Sequence, residues 1–312
     1  MDEVNDTLYT FTGSVNTYVL AAVFVLEFIA GFIFNTIVIG ITIYKGSWKK
    51  QGTIFFTSLI LANLLLVILY IPFLVIGLAA RKWIFGNTVA EKLASCWFVG
   101  FALWYSFIII LMTLAAISLD RFLFVIKPHF HKWFMRPWVT LTLTIAIWIL
   151  SAVLSSTPFY GLGTYAYGRW YGSCVPLWVE IGFIIYSVTI SLLVIAVIVI
   201  TSVWVFCFTR IFIKVHPEVE VPADPDTVIC LSKKKRLFGI YGSMLLAYTV
   251  CFAPTLISSI ISSSIDIPGE VFFLNVITFF LITVVSPLIQ SYFRKDIKEV
   301  IVLCYKKITK KQ

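Results

Sequence analysis

The chain has 312 residues, of which 60% are hydrophobic and only 12% are charged, whereas ordinary soluble domains carry about a quarter charged residues. Fifteen acidic and 24 basic side chains cannot cover so much apolar surface, which excludes a soluble globular protein. The net charge of +9 raises the question of nucleic-acid binding, but the basic residues lie between hydrophobic segments and form no basic stripe with exposed aromatics. The predicted partner is therefore the lipid bilayer, and no nucleic acid is expected.

Seven apolar stretches are each long enough to cross a hydrocarbon core, which takes about 20 helical residues. Backbone inside a bilayer must satisfy its own hydrogen bonds, so these segments are predicted to be helices. The short alternating segments of a membrane barrel are not seen. The chain begins without the basic residues of a cleavable signal, so the first segment is expected to be an uncleaved anchor. The seven predicted spans are 18–44, 53–79, 93–126, 138–160, 177–209, 236–264 and 271–293.

The basic residues are distributed unevenly about these segments. Twenty of the 24 Lys and Arg residues lie in the connections after segments one, three and five and in the tail. Cytoplasmic loops are enriched in Lys and Arg, so the N-terminus is predicted to be extracellular. The expected location is the plasma membrane. The sequon Asn5-Asp6-Thr7 falls on the same outer side and makes Asn5 a candidate glycosylation site. Four basic residues lie on that outer side: Arg81, Lys82, Lys92 and Arg169.

After segment seven, residues 293–307 alternate apolar and basic positions at helical spacing. This stretch is too short and too charged to span a bilayer, so it is predicted to lie on the inner leaflet as an amphipathic helix. Cys304 near its end is a candidate for palmitoylation, with an unmodified cysteine as the alternative. The predicted organisation is an extracellular N-terminus at 1–17, a transmembrane bundle at 18–293, and a cytoplasmic helix and tail at 294–312.

Segment three carries candidate functional residues at both of its ends. Cys96 lies near the outer end and Asp120-Arg121-Phe122 at the inner end, so one helix touches both membrane faces. Cys174 lies after segment four on the outer side, where an oxidising compartment makes a disulfide with Cys96 feasible; two free thiols are the alternative. The other cysteines are intramembrane or cytoplasmic in this topology and are expected to stay reduced: Cys207, Cys230, Cys251 and Cys304.

Further motifs occur in chain order along the segments. They are Asn35 in Phe-Asn-Thr-Ile-Val, Trp148 in segment four, Cys251-Phe252-Ala253-Pro254, and Ser286-Pro287 with Arg294-Lys295-Asp296. With Asp120-Arg121-Phe122 and the cysteine pair, they resemble the ordered motifs of rhodopsin-like (class A) G-protein-coupled receptors. The resemblance covers all seven segments. It implies an all-α membrane protein, a seven-transmembrane helix bundle with a short amphipathic C-terminal helix.

The resemblance also implies partners and residue roles. The expected partners are an extracellular ligand and a heterotrimeric G protein. In this family the arginine matching Arg121 meets the G protein when helix six swings out, and the adjacent Asp120 can neutralise it. Pro254 and Pro287 remove backbone hydrogen bonds, bend helices six and seven, and so supply pivots.

Several positions depart from the family pattern in the centre of the bundle. Asn63 stands where helix two usually has an aspartate that holds a sodium ion, and a neutral amide offers no charge to a hard cation. Ile110, Ile282 and Ser286 occupy other positions of that cluster. We therefore expect no functional sodium site.

Other departures affect residues that control activation in relatives. Gln290 replaces the helix-seven tyrosine, and Phe252 replaces the helix-six tryptophan. Lys234 lies at the base of helix six, where many relatives have a glutamate that faces the arginine. Repulsion is expected there instead of an ion pair, so raised basal signalling is a hypothesis that follows.

The outer half of the bundle is the usual ligand site of the family. Counting helical turns outward from Arg121 places Leu103, Trp104 and Phe107 there, without the carboxylate of amine receptors, so a biogenic amine is disfavoured. Helix seven contains no lysine for a retinal Schiff base, which argues against an opsin. The set suits a small, largely apolar ligand or a short peptide, with ordinary bundle packing as the alternative for each residue. A mostly aromatic cavity is completed by Phe252, Thr255, Ser259, Asn275, Thr278 and Phe279.

The charged and metal-binding side chains do not indicate a metal site or an enzyme. Glu27 lies inside segment one and is a functional candidate because an intramembrane acid is costly, whereas Glu180 is expected at headgroup level. All three histidines are cytoplasmic in this topology, and no cluster at metal-ligand spacing occurs, so no metal, cofactor or enzyme activity is expected. A membrane transporter or channel is the alternative, but internal repeats and mid-bilayer charges are not seen.

Overall fold

The structure is a computed structural model, and it describes residues 8–13, 15–47, 51–215, 225–261 and 269–309. The helices are α1 (Thr17–Tyr44), α2 (Gln51–Leu69), α3 (Ile71–Ala80), α4 (Val89–Ile126), α5 (Pro128–Phe134), α6 (Pro137–Ser155), α7 (Ile181–Val215), α8 (Pro225–Ile261), α9 (Gly269–Phe293) and α10 (Lys295–Thr309). Between α6 and α7 the chain forms a 3-10 helix at Thr157–Tyr160 and a hairpin of strands β1 (Thr164–Gly168) and β2 (Ser173–Leu177).

The long helices form a bundle whose outside is apolar. Among the described residues, six stretches are long and apolar enough to cross a membrane: α1, α2 with α3, α4, α6, and most of α7 and α9. α8 packs along α9 and also against α4, and its residues 239–261 include no charged side chain, so it makes the seventh crossing. Large apolar side chains on the outside, such as Leu26, Leu192 and Trp204, are exposed. Such a surface suits lipid, not water.

The second crossing is broken at Tyr70, where α2 ends and α3 begins. Tyr70 has φ −122° and ψ −52°, and Pro72 at the start of α3 lacks the N–H that would continue the helical hydrogen bonds. The single helix predicted for 53–79 is therefore wrong at this point. Pro254 and Pro287, in contrast, lie inside α8 and α9, which continue through them.

α4 is the central helix and contacts α2, α6, α7, α8 and both strands. It begins with a capping box, in which Glu91 N donates to Thr88 Oγ1 (3.2 Å) and Thr88 N donates to Glu91 Oε2 (3.3 Å). Its 38 residues span about 57 Å at ~1.5 Å per residue. It ends at Ile126, two residues before Pro128, which begins the short helix α5 that the sequence did not predict.

A β hairpin fills the outer connection between α6 and α7, which the sequence predicted only as a loop. The predicted spans 138–160 and 177–209 are too long on this side, since α6 ends at Ser155 and α7 begins at Ile181. The 3-10 helix ends at Tyr160 and is followed by Gly161, whose φ of +87° suits a residue without a side chain. β1 and β2 then pair antiparallel, with Tyr167 opposite Cys174.

α10 turns away from the bundle after Arg294 and contacts α1 and α9. Ile297 is buried with Val38 and Ile60, whereas Ile301 and Leu303 are exposed. The predicted short amphipathic C-terminal helix is therefore present, and its first turn is fixed against the bundle by an apolar contact.

Candidate functional site

Four aromatic residues predicted to line a ligand site lie in one continuous cluster within the bundle. The ring centroid of Phe107 lies 5.4 Å from Trp104, 5.7 Å from Phe252 and 5.9 Å from Phe279. Phe252 and Phe279 are stacked, with their centroids 5.2 Å apart. These residues come from α4, α8 and α9, so the three helices contact one another through aromatic side chains. We call Trp104, Phe107, Phe252 and Phe279 the aromatic cluster.

Polar groups at the outer ends of α8 and α9 are largely used in bonding the two helices together. Asn275 Nδ2 donates to Ser258 Oγ (2.6 Å), and Thr255 Oγ1 donates to the carbonyl of Asn275 (3.5 Å). Thr278 Oγ1 also donates to that carbonyl (2.9 Å). On α4, Leu103 packs against the hydrophobic core beside the aromatic cluster. The indole N–H of Trp104, in contrast, is buried without a hydrogen-bond partner, which leaves one donor for a ligand.

The hairpin lies over the outer end of α4 and is joined to it covalently. Cys96 and Cys174 form a disulfide, with Cα atoms 5.2 Å apart and both residues fully buried. Tyr165 on β1 packs against Gly100, where an added Cβ would lie 2.8 Å from Tyr165 Cδ1. Its hydroxyl donates to the carbonyl of Ser155 (2.6 Å), and burial raises the pKa of Tyr165 well above its usual value. The predicted disulfide is thus confirmed, in contrast to the alternative of two free thiols.

At the inner end of α4, Asp120 and Arg121 form a buried ion pair in which Arg121 Nη2 donates to Asp120 Oδ2. His131 on α5 contacts the other carboxylate oxygen, with its Nε2 2.9 Å from Asp120 Oδ1. Phe122 is half-buried and takes no part in the pair. A carboxylate therefore neutralises the arginine, as the sequence suggested, and α5 contributes a partner that the sequence did not indicate.

Tyr241 on α8 connects three helices close to this ion pair. Its hydroxyl donates to Ser118 Oγ on α4 (2.9 Å) and lies 2.7 Å from Ser202 Oγ on α7. The side chain is buried, so the hydroxyl bonds are shielded from water. Ser118 precedes Arg121 by about one helical turn.

The centre of the bundle is filled by amides and hydroxyls. Asn63 Nδ2 donates to the hydroxyl of Tyr248 (3.4 Å), which donates to Ser286 Oγ (3.4 Å). Asn35 Nδ2 donates to the carbonyl of Thr283 (2.7 Å) and so joins α1 to α9. The neutral hydroxyl of Tyr248 thus lies between α2 and α9, at the position where the family resemblance predicts the sodium-binding cluster of relatives.

Gln290 takes part in a second polar network at the junction of α9 and α10. Its Nε2 donates to the carbonyl of Phe56 on α2 (3.3 Å), and its Oε1 accepts from Arg294 Nη1 (3.3 Å). Arg294 Nη2 also donates to Thr42 Oγ1 on α1 (3.0 Å) and to Asp296 Oδ2 (2.8 Å). One arginine therefore connects α1, α9 and α10.

Comparison with known proteins identifies the family of this architecture. Residues 34–293 match the family model of the 7 transmembrane receptor (rhodopsin family). The chain belongs to this receptor family. Its fold matches the crystal structure of squid rhodopsin with a TM-score of 0.80 at 17% identity, covering 96% of this chain and 88% of that one. The prediction of a seven-helix membrane bundle is thereby confirmed, and the receptor is a multi-pass membrane protein of a family of signalling receptors, not enzymes.

Individual relatives are distant and several match only part of the receptor. Galanin receptor type 3 from mouse and from human are 28% identical over 171 residues, which are 53% of this chain and 44% and 45% of those receptors. This chain thus spans less than half the length of the galanin receptors in the match. Mouse free fatty acid receptor 3 is 23% identical over 256 residues, 79% of this chain and 74% of that receptor.

Of the other residues singled out in the sequence, those that the structure describes lie outside the aromatic cluster and the polar networks. Glu27 lies on the buried face of α1, with its Oε2 lacking a hydrogen-bond partner. Glu180 lies just before α7, where its Oε2 accepts from Gly163 N (3.0 Å). Trp148 donates from its indole N–H to Ser58 Oγ (2.9 Å). Asn5 lies outside the described residues, as do the side chains of Lys234, Ser259 and Cys304.

Sequence reasoning missed His131, Ser118, Ser202, Tyr241 and Tyr248 as members of the polar networks. Tyrosines at 241 and 248 lie seven residues apart, which puts them on one face of α8, two turns apart. A tyrosine hydroxyl that faces the interior of a helix bundle needs a hydrogen-bond partner, so this spacing was the available sequence signal for the polar networks.

Proposed function

We propose that the chain is a G-protein-coupled receptor that transmits the binding of an extracellular ligand to a heterotrimeric G protein. The observation that carries the proposal is the position of Arg121. Its guanidinium is buried against Asp120 at the inner end of α4, the same helix that contributes Trp104 and Phe107 to the aromatic cluster. A ligand that alters the packing of α4 against α8 and α9 therefore acts on the helix that carries the arginine.

The route from ligand to arginine in this proposal passes through α8. Phe252 belongs to the aromatic cluster, and Tyr241, three turns inward on α8, is hydrogen-bonded beside Arg121. A rearrangement at Phe252 is transmitted along a rigid helix, with Pro254 as the site of bending. Outward motion of the inner end of α8 breaks the Tyr241 bonds and opens space beside Arg121 for the G protein.

We assign the N-terminus to the extracellular side of the plasma membrane, since the basic connections mark the cytoplasm. Residues 1–17 are then extracellular and 294–312 cytoplasmic. Asn5 becomes available for glycosylation, and Cys304 for palmitoylation at the inner leaflet. The disulfide between Cys96 and Cys174 agrees with this orientation, since it then lies in the oxidising compartment.

The ligand proposed is small and largely apolar, or a short peptide. The aromatic cluster offers ring faces, and the Trp104 indole N–H offers one unpaired donor. Mouse free fatty acid receptor 3 is, by its name, a receptor for free fatty acids. Each member of the aromatic cluster here is uncharged, so the carboxylate of such a ligand finds no counter-ion within that cluster.

The test is a ligand screen in cells that express the chain, read with sensors for several classes of G protein. Arg121→Ala is the variant that removes coupling, and Arg136→Ala, an exposed arginine at the start of α6, is the matched control. Loss of basal and stimulated signals in Arg121→Ala alone, at equal surface expression, supports the proposal. Signals unchanged by Arg121→Ala contradict it and favour a transporter or channel.

A further inference from the structure

Residues 9–12 lie across the outer mouth of the bundle as an extended segment. Phe11 N donates to the carbonyl of Arg81 (2.9 Å), and Trp83 N donates to the carbonyl of Tyr9 (2.9 Å). Both bonds join the segment to the connection between α3 and α4 through the main chain alone. The segment is thus bound as an added strand, a mode in which backbone groups supply much of the affinity.

The same segment is bound on its other side by the hairpin. Thr12 N donates to the carbonyl of Arg169 in the turn between β1 and β2 (3.1 Å). Thr10 and Lys82 form an antiparallel bridge within the first contact. Residues 9–12 therefore connect two outer loops, the α3–α4 connection and the hairpin turn.

Phe11 fixes this segment by inserting its side chain into the bundle. It is only 7% exposed, whereas Leu8 nearby is 56% exposed. The ring lies 5.9 Å from the ring of Phe273 on α9, and the guanidinium of Arg81 lies 5.9 Å from its centroid. Gly172 in the hairpin turn has φ +67° and no side chain, which leaves space beside the ring.

Phe11 lies on the extracellular side of the aromatic cluster. Its contact Phe273 precedes Phe279 by six residues on α9, which corresponds to about 9 Å along the helix. Phe11, Phe252 and Phe279 all belong to, or pack against, one hydrophobic core. A molecule that enters from outside along α9 meets Phe11 before it meets the aromatic cluster.

We propose that the outer mouth is a binding site for an extended peptide segment with an aromatic side chain, and that residues 9–12 are its built-in occupant. This inference rests on the proposed function and adds to it the gate that an extracellular ligand must displace. The main chain of 81–83 and of the hairpin turn binds the strand, and the space between Arg81, Gly172 and Phe273 binds the ring. Because the occupant is tethered, it is present at high effective concentration, so the site is closed until a ligand competes.

The first test measures how fast an extracellular thiol reagent reaches the aromatic cluster. Phe279→Cys is introduced, and modification by a membrane-impermeant methanethiosulfonate is followed on intact cells; the chain without the new cysteine gives the background. Phe11→Ala should accelerate modification by roughly tenfold or more, because the burial of the ring that holds the segment closed is lost. Leu8→Ala, at an exposed residue directly before the segment, should leave the rate unchanged. Equal rates in the two variants would overturn the proposal.

A second variant covers the case in which Phe11→Ala does not reach the surface. A Cβ at Gly13 would lie 2.4 Å from Phe11 Cζ, so in Gly13→Ala the ring or the backbone that carries it must shift while Phe11 itself is retained. This variant should accelerate modification of the Phe279→Cys cysteine as Phe11→Ala does. An unchanged rate in Gly13→Ala would count against the inserted position of Phe11.

A third measurement tests where the strand lies. The two backbone bonds that flank Thr10 and Lys82 make them a non-hydrogen-bonded antiparallel pair, whose Cα atoms are about 4.5 Å apart. This spacing accommodates a disulfide. The double variant Thr10→Cys and Lys82→Cys should lose both thiols under mild oxidation, as mass spectrometry detects, and two persistent free thiols would overturn the proposal. The thiol measurements need no G protein, so their outcome is independent of coupling.

Discussion

The hydroxyl of Tyr241 donates a hydrogen bond to Ser118 Oγ, 2.9 Å away, and this bond joins α8 to α4 one turn outward of Arg121. The family resemblance places Lys234 where many relatives have a glutamate at the base of helix six, so we expect no ion pair of that kind between α8 and Arg121. The buried hydroxyl network of Tyr241, Ser118 and Ser202 joins α8 to α4 and α7, and Ser118 lies one turn outward of Arg121. We infer that it supplies the restraint on α8 for which the sequence offered no residue.

Tyr241→Phe should raise ligand-free signalling. The change keeps the ring and deletes the hydroxyl, and a buried hydrogen bond contributes about 1 kcal/mol, so the active fraction should rise roughly fivefold. The measurement is basal G-protein activation at matched surface expression. Tyr44→Phe, which deletes the hydroxyl of an exposed tyrosine on α1, is the control. Basal activity that is the same in both variants would show that the network does not restrain α8.

Sodium should have no selective effect on this receptor. The amide of Asn63 donates to the hydroxyl of Tyr248, and both groups are neutral, so a hard cation gains no charged ligand there. Thermal unfolding of the purified receptor should give the same midpoint in sodium, potassium and choline chloride at equal ionic strength. A midpoint raised by sodium alone would contradict this prediction.

Loss of the outer disulfide should destabilise the receptor strongly. Cys96→Ser, Cys174→Ser and the double variant should each lower the free energy of unfolding by about 2–5 kcal/mol, since each removes the covalent link between the hairpin and α4. The double variant should resemble the single ones, because either substitution removes the whole bond. Cys207→Ser, at an exposed free thiol, is the control and should behave as the native chain. Surface expression and thermal unfolding report the effect, and single variants with native midpoints would refute it.

The junction of α9 and α10 should lose stability in acid through Asp296. Burial opposes ionisation of this carboxyl, but its hydrogen bond and ion pair with Arg294 outweigh burial and lower its pKa. A lowered pKa gives stability that is present above the unfolded value of about 3.9 and lost as pH falls through the folded value.

The unfolding midpoint of Asp296→Asn should therefore lie below that of the native chain at neutral pH, and the difference should narrow below about pH 4. Glu299→Gln on the exposed side of α10 should show little difference at any pH. If the difference in unfolding midpoint between Asp296→Asn and the native chain stayed the same in acid, the charge of Asp296 would not contribute to stability.

Much of the fold could be predicted from the sequence because membrane helices are long, apolar and internally hydrogen-bonded. The outer hairpin could not, since residues 157–180 continue the aromatic and apolar character of the flanking helices. Positive φ angles at Gly161 and Gly163 turn this stretch into a 3-10 helix and a strand, and hydropathy carries no information on φ. Pro72 did offer a signal for the break at Tyr70, in a segment that hydropathy alone read as continuous.

The site was predicted in part. Helical spacing from Arg121 selected Trp104 and Phe107, and the family resemblance added Phe252 and Phe279; these four residues do form one cluster. The contact of His131 with Asp120 depends on the helix α5, whose position follows from tertiary packing and not from periodicity. The buried position of Phe11 depends on backbone hydrogen bonds that join residues 9–12 to the α3–α4 connection and to the hairpin turn. No local sequence pattern reveals these bonds.

Nucleotide exchange on a purified heterotrimeric G protein, catalysed by the receptor in lipid vesicles, tests the central claim most directly. The account predicts that the native chain accelerates exchange on at least one G protein. It predicts further that Tyr241→Phe accelerates exchange more strongly, and that Arg121→Ala with native unfolding behaviour does not accelerate it at all. Equal exchange with the native chain and Arg121→Ala, on every G protein that the receptor activates, would contradict the account.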